Sequence, residues 1–82
     1  MADKKHLGQA FKEARDVRDQ SLDEVEQRAG LDSGTLEEIE NGDREPDFDT
    51  MQQLAQAIGA PMSRVSTRAE EIQALSSPQE RS

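Results

Sequence analysis

The stretch Ser21–Pro46, SLDEVEQRAGLDSGTLEEIENGDREP, decides the fold of this chain of 82 residues. Ser21 is followed three residues later by Glu24, which is the spacing of a capping box. In a capping box the serine hydroxyl accepts a hydrogen bond from the backbone N–H of the glutamate, and the glutamate carboxylate accepts one from the N–H of the serine. A helix is therefore predicted to begin at Leu22.

A tight turn and a second short helix follow this first one. Gly30 can adopt the left-handed conformation that ends a helix, Leu31 supplies an apolar turn residue, and Asp32 is a candidate N-cap. The second helix is predicted over residues 33–40, and Asn41-Gly42 ends the unit. Each helix carries a narrow apolar stripe that can be buried against a small core. The stripe residues are Leu22, Val25, Ala29, Leu36 and Ile39.

Apolar residues at helical spacing predict three further helices. The stripe of the first helix, predicted over residues 5–18, consists of Leu7, Ala10, Phe11, Ala14 and Val17. The fourth is predicted to open at a capping-box variant formed by Asp49 and Gln52 and to end at Gly59. Its stripe consists of Met51, Leu54, Ala55 and Ile58. Pro61 suits the first turn of a fifth helix.

This pattern resembles the phage-repressor and Cro-like helix-turn-helix family, often called XRE, over roughly residues 7–65. The matching residues are Leu7, Gly8, Phe11, Lys12, Ala14, Arg15, Ser21, Val25, Gly30, Leu36, Ile39, Glu40, Asn41, Gly42, Arg44, Pro46, Leu54, Ala55, Ile58 and Gly59. The resemblance implies an all-α, compact five-helix bundle of the lambda-repressor-like kind. The helix-turn-helix unit would occupy residues 21–42 of a domain at 5–75. Residues 1–4 and 76–82 are predicted to be disordered tails.

The resemblance also implies a transcriptional regulator whose third helix lies in the major groove of double-stranded operator DNA. The positions that match the family's DNA contacts are Ser33, Gly34, Thr35, Glu38, Asn41 and Arg44. Ser33, Gly34 and Glu38 would face base edges, and the other three would face phosphates or nearby base edges. A further implication is that Arg15 pairs with Glu40 as part of the architecture rather than of DNA readout.

The charge of the chain conflicts with a DNA-binding role. The formal net charge is −8. Residues 19–49 hold two basic and twelve acidic side chains, net −10, whereas residues 1–18 are net +2. Because DNA binders gain affinity by neutralising phosphates with Lys and Arg, a second hypothesis stands beside the first. In it, the helix-turn-helix has lost DNA readout, and its acidic face binds a basic protein partner or mimics the charge of DNA.

Two residues of the second helix depart from the family pattern. Leu22 stands where many members have Gln, and Glu26 stands where they have a small residue that lets the two helices cross closely. The long Glu26 side chain is expected to extend outward along the surface. That arrangement predicts a looser helix crossing and one more carboxylate near the groove-facing surface.

The fifth helix carries an apolar stripe that outlasts the family pattern. Its residues are Met62, Val65, Ala69 and Ile72. Either the helix packs back on its own domain or the stripe forms the interface of a homodimer, and the second alternative is slightly favoured. A chain this small has a limited core, so burial of extra surface in a dimer would add stability.

Composition argues against catalysis and for a cytoplasmic location. The chain has one histidine, His6, and no cysteine, so it has neither a disulfide nor a cysteine-bound metal. The carboxylates of residues 43–49 do not form an EF-hand loop, because Phe48 and Leu54 stand where that loop needs Gly and Glu. No catalytic constellation, metal site or cofactor motif is recognisable, and an enzyme is not expected. No apolar run is long enough for a signal peptide or a membrane span.

Overall fold

The computed structural model describes residues 4–76, which form five α-helices without a strand in that range. The helices are α1 (Lys4–Asp16), α2 (Leu22–Ala29), α3 (Thr35–Glu40), α4 (Phe48–Ile58) and α5 (Met62–Ser76). The predicted all-α architecture with a central helix-turn-helix is thus confirmed. The predicted disorder of residues 1–3 and 77–82 concerns residues outside the described range, whereas Lys4 and Ser76 belong to helices.

The core forms where the predicted apolar stripes converge. Phe11, Val25, Leu36, Ile39 and Leu54 have no exposed surface. Leu7 and Ala14, which were also expected in the core, are partly buried and pack against it. All five helices contribute to this core. In a domain this small a single core must bury most of the apolar surface.

Val17, the last residue of the apolar stripe predicted for the first helix, does not belong to the core, because 78% of its surface is exposed. The α1 helix ends at Asp16, two residues earlier than expected. Residues 17–19 form the turn after this helix, in which Asp19 adopts the left-handed conformation with φ 56°, so Val17 lies in the turn and not on the buried face.

The capping box predicted at the start of α2 is confirmed. The Ser21 hydroxyl accepts from the N–H of Glu24 at 3.1 Å, and the Glu24 carboxylate accepts from the N–H of Ser21 at 2.9 Å. Gly30 ends the helix in the left-handed conformation, with φ 74°. The local chemistry of the sequence therefore fixes both ends of this helix.

The start of α3 differs from the prediction. Gly34, not Asp32, occupies the N-cap, with φ 90° and no capping side-chain hydrogen bond of its own. The N–H of Thr35 instead donates to the backbone carbonyl of Asp32 at 3.1 Å. Residues 32–34 thus extend the turn, and the helix begins at Thr35.

The start of α4 also differs, by two residues. Asp47 is the N-cap, and its carboxylate accepts from the N–H of Thr50 at 2.8 Å. The expected cap, Asp49, lies inside the first turn. Asp47 has the extended conformation typical of an N-cap, with φ −77° and ψ 175°, and it follows the buried Pro46.

The α5 helix packs back on α1 of its own chain. Val65, Ala69 and Ile72 are buried in this single chain, with 2%, 0% and 4% of their surface exposed, and Met62 is partly buried. Arg68 donates from Nε and Nη2 to the Glu13 carboxylate of α1 at 2.7 and 3.3 Å. The stripe expected to form a dimer interface therefore serves the core of the chain. The homodimer itself stays a prediction.

Candidate nucleic-acid interface

Gly8 allows α1 to lie directly on the backbone of α3. A Cβ atom at this position would overlap the carbonyl oxygen of Ile39 and would lie 3.1 Å from the Cα of Glu40. Only glycine fits at such a close approach of two backbones. The inner side of α3 is therefore seated firmly on α1.

The predicted pair between Arg15 and Glu40 is confirmed, and it ties α1 to the last residue of α3. Arg15 Nε and Nη2 donate to the two carboxylate oxygens of Glu40 at 2.7 and 3.0 Å, and both side chains are buried. Arg15 Nη1 also donates to the carbonyl of Gln20 at 2.7 Å. The hydrogen bond to Glu40 raises the pKa of the Arg15 guanidinium, while burial acts in the opposite direction.

Glu26 holds the other end of α3, which the sequence analysis did not predict. Its side chain is buried rather than extended along the surface, and the residue is 4% exposed. Its Oε2 accepts from the backbone N–H of Leu36 at 2.9 Å. The α3 helix is therefore fixed at both ends, by Glu26 at its first turn and by Arg15 at its last.

The predicted DNA-contacting residues lie on the opposite, outer side of α3 and in its two flanking turns. None of them is buried: Ser33, Glu38, Asn41 and Arg44 are exposed, and Gly34 and Thr35 are half-buried. The residues of α3 that face inward are Leu36, Ile39 and Glu40. A clamped inner side and an accessible outer side are what a helix needs to enter a groove of DNA.

Glu38 and Arg44 form an ion pair on this outer side. Arg44 Nε donates to Glu38 Oε1 at 2.8 Å, and the two side chains are 51% and 56% exposed for Glu38 and Arg44, respectively. The sequence placed both residues at the interface but gave no signal of the pair. It forms because Gly42, with φ 81°, turns the chain back over the end of α3.

The surroundings of α3 are predominantly acidic. The exposed carboxylates of the turns and helices next to it are Asp23, Glu24, Asp32, Glu37, Asp43, Glu45, Asp47 and Asp49. Lys5 lies beside Gly42, since a Cβ on that glycine would be 3.1 Å from the Lys5 Cα. Phe48 is 64% exposed between Asp47 and Asp49. The candidate interface thus has a basic edge at the start of α1 and an acidic edge at the start of α4.

These features define a helix-turn-helix domain. The profile of a family described as "Helix-turn-helix domain" matches residues 8–74, and the chain belongs to this family, which is of the XRE type. The fold and the family are those of transcription regulators that bind DNA. Among curated proteins, no sequence matches significantly. Within residues 4–76, no helix is long and apolar enough to cross a membrane.

Solved structures that resemble the chain include the following three. Two are crystal structures of the clp gene regulator ClgR from Corynebacterium glutamicum. The first is 26% identical with a TM-score of 0.85, covering 88% of this chain and 77% of that chain. The second is 24% identical with a TM-score of 0.83, covering 93% and 95%. The third is the restriction-modification controller protein C.AhdI from Aeromonas hydrophila, 23% identical with a TM-score of 0.71, covering 74% and 92%.

Proposed function

We propose that this chain is a transcriptional regulator that binds operator DNA through α3. The observation that supports the proposal is the way in which α3 is held. Its inner side is fixed by the close approach at Gly8 and by hydrogen bonds from Arg15 and to Glu26. Its outer side remains accessible. The family and the likeness to the clp gene regulator support the same function.

In the proposed complex, the start of α3 faces the base edges. Ser33 and Thr35 offer hydroxyl groups that donate and accept hydrogen bonds, and Gly34 lets the backbone approach closely because it has no side chain. Asn41 and Arg44 face phosphates at the other end of the helix. The regulator acts in the cytoplasm, on double-stranded DNA and without a cofactor.

Electrostatics makes generic DNA binding weak in this proposal. Non-specific affinity comes almost entirely from cations that neutralise phosphates, and the carboxylates around α3 oppose it. Lys5 supplies a cation at the edge of the interface next to Gly42. Contacts with bases then carry a larger share of the affinity than in a basic regulator.

The test is a selection of binding sequences from random duplexes at low salt, where electrostatic attraction is least screened. We expect one enriched motif. Replacing Ser33 by Ala should weaken binding to that motif, whereas replacing Thr67, an exposed residue of α5, should not. Enrichment of no sequence at all would refute operator recognition.

A second candidate function is the docking of a basic protein, and the exposure of Phe48 favours it. An aromatic side chain that is 64% exposed and flanked by two carboxylates resembles the aromatic anchors of protein interfaces. If the chain docks a basic protein, chemical cross-linking should join that protein to the wild-type chain, and the cross-link should be lost in the Phe48→Ser variant. Changing Glu37 to Gln and Glu38 to Arg distinguishes the two candidate functions. The double change should strengthen binding to generic DNA but weaken the binding of a basic protein partner.

A further inference from the structure

The ion pair between Glu38 and Arg44 has a consequence for which DNA sequences the interface can accept. Arg44 follows the left-handed turn at Gly42, where the N–H of Asp43 donates to the backbone carbonyl of Glu38 at 2.9 Å. This turn brings the guanidinium onto the carboxylate, 2.8 Å away. Both groups lie on the side of α3 that the proposed function turns toward DNA.

Arg44 is the cation that the helix-turn-helix can offer beside α3. The segment 19–49 contains one other basic residue, Arg28, and its guanidinium donates to the carbonyl of Ala57 at 2.7 Å, at the end of α4. As long as Arg44 is paired with Glu38, its charge is compensated and its attraction for a phosphate is weakened.

Breaking the pair has opposite effects on its two members when DNA approaches. Arg44 gains a phosphate, but the released Glu38 carboxylate is repelled by the phosphates unless it finds a hydrogen-bond donor. An exposed ion pair contributes little to stability and therefore exchanges partners readily. The exchange is favourable where a base presents an amino group to Glu38.

Cytosine is the base that best meets this requirement. In the major groove its N4 amino group donates without an acceptor on the same base, whereas adenine places the acceptor N7 beside its N6 amino group. Guanine presents two acceptors there, and thymine presents an acceptor and a methyl group. A carboxylate therefore gains a favourable contact with cytosine and meets an acceptor on adenine, guanine or thymine.

We propose that Glu38 and Arg44 act as a coupled specificity device: Glu38 exchanges Arg44 for the amino group of a cytosine, and the released Arg44 binds a phosphate. This inference rests on the proposed function and makes it more specific. Arg44 becomes available to the backbone where Glu38 finds its base, so sequence readout and phosphate binding occur together.

The test compares the motifs selected from random duplexes by the wild-type chain, by Glu38→Ala and by Glu38→Gln. The wild type should select cytosine at one position of its site, and replacing that base pair should weaken binding by about 5- to 150-fold. Glu38→Ala should lose the preference and bind generic DNA more tightly. Glu38→Gln should select adenine instead, because an amide donates to N7 and accepts from N6. Glu37→Gln, a change at the neighbouring exposed carboxylate, should keep cytosine.

The coupling to Arg44 is tested on generic DNA. Arg44→Ala should reduce generic binding more in the Glu38→Ala background than in the wild-type background, because the guanidinium is already released there. Equal reductions in the two backgrounds, or the same motif from wild type and Glu38→Ala, would overturn the inference while leaving operator binding intact. If no variant selects a motif, the proposed function fails and this inference fails with it.

Discussion

Glu26 of α2 caps the neighbouring helix α3: its carboxylate accepts a hydrogen bond from the backbone N–H of Leu36 at 2.9 Å. The helix needs this acceptor because its own N-cap, Gly34, has no side chain that could provide one. A negative group at a helix N-terminus is also favourable for the helix dipole. The carboxylate therefore fixes the direction of α3 on α2, at a position where the resembling family usually has a small residue.

Replacement of Glu26 should destabilise the domain. Glu26→Ala leaves the buried N–H of Leu36 without its acceptor, which costs about 1–3 kcal/mol of unfolding free energy. Glu26→Gln should cost less because the amide oxygen can still accept the bond. Urea denaturation measures the difference, with Gln27→Ala at the exposed neighbouring position as control. Equal losses for Ala and Gln would show that this hydrogen bond is not what stabilises α3.

The sequence predicted the elements whose determinants are local. Ser21 and Glu24 cap each other, and Gly30 ends the helix through its own left-handed backbone conformation, so both ends of α2 could be predicted from neighbouring residues. The sequence analysis placed the cap of α4 at Asp49, whereas Asp47, two residues earlier, accepts the bond from the N–H of Thr50. Packing between helices determined where the Glu26 side chain lies. The sequence does not specify such contacts because they depend on elements that are distant along the chain.

Gly8→Ala should be among the most damaging single substitutions. The added methyl group would overlap the carbonyl oxygen of Ile39, and the obstacle is backbone, so α1 must move away from α3. We expect the free energy of unfolding to fall by several kcal/mol, which is a large part of the total stability of a small domain. Thermal unfolding measures it, and Gln9→Ala, at the exposed next residue, should leave the midpoint almost unchanged. A stable Gly8→Ala variant would contradict the close approach.

Breaking the pair between Arg15 and Glu40 should cost more than removing an exposed pair. Glu40→Ala removes the buried carboxylate of Arg15 and leaves the guanidinium with the exposed Asp16 carboxylate at 3.5 Å, so a loss of up to about 3–5 kcal/mol is expected. Glu38→Ala, which removes the exposed partner of Arg44, should cost at most about 1 kcal/mol. Chemical denaturation of both variants gives the comparison. Similar losses would mean that burial does not set the strength of the first pair.

Acid should weaken the caps of α2 and α4. The backbone N–H of Thr50 lowers the pKa of Asp47 from its ordinary 3.8, and the backbone N–H of Ser21 lowers the pKa of Glu24 from 4.5. Groups with lowered folded pKa values contribute stability above their ordinary values and lose it as the pH falls through the lowered ones. Thermal midpoints should therefore fall below about pH 4.5. Asp47→Ser keeps a capping oxygen without a titrating group, so its midpoint should fall less. If the thermal midpoint of Asp47→Ser falls with pH as steeply as that of the wild type, Asp47 does not contribute to the loss of stability in acid.

Ile72 should stabilise the single chain whether or not the chain dimerises. Its side chain is 4% exposed within one chain, so Ile72→Ala removes core packing and should cost about 2–5 kcal/mol at every protein concentration. Leu75 of the same helix is 78% exposed, and Leu75→Ser should leave the stability of the monomer almost unchanged. Sedimentation velocity and thermal midpoints at several concentrations separate the two roles. A wild-type midpoint that rises with concentration, and a loss of this rise in Leu75→Ser, would place a dimer interface on the outer side of α5. If Ile72→Ala abolishes association without lowering the stability of the monomer, the residue belongs to an interface rather than to the core.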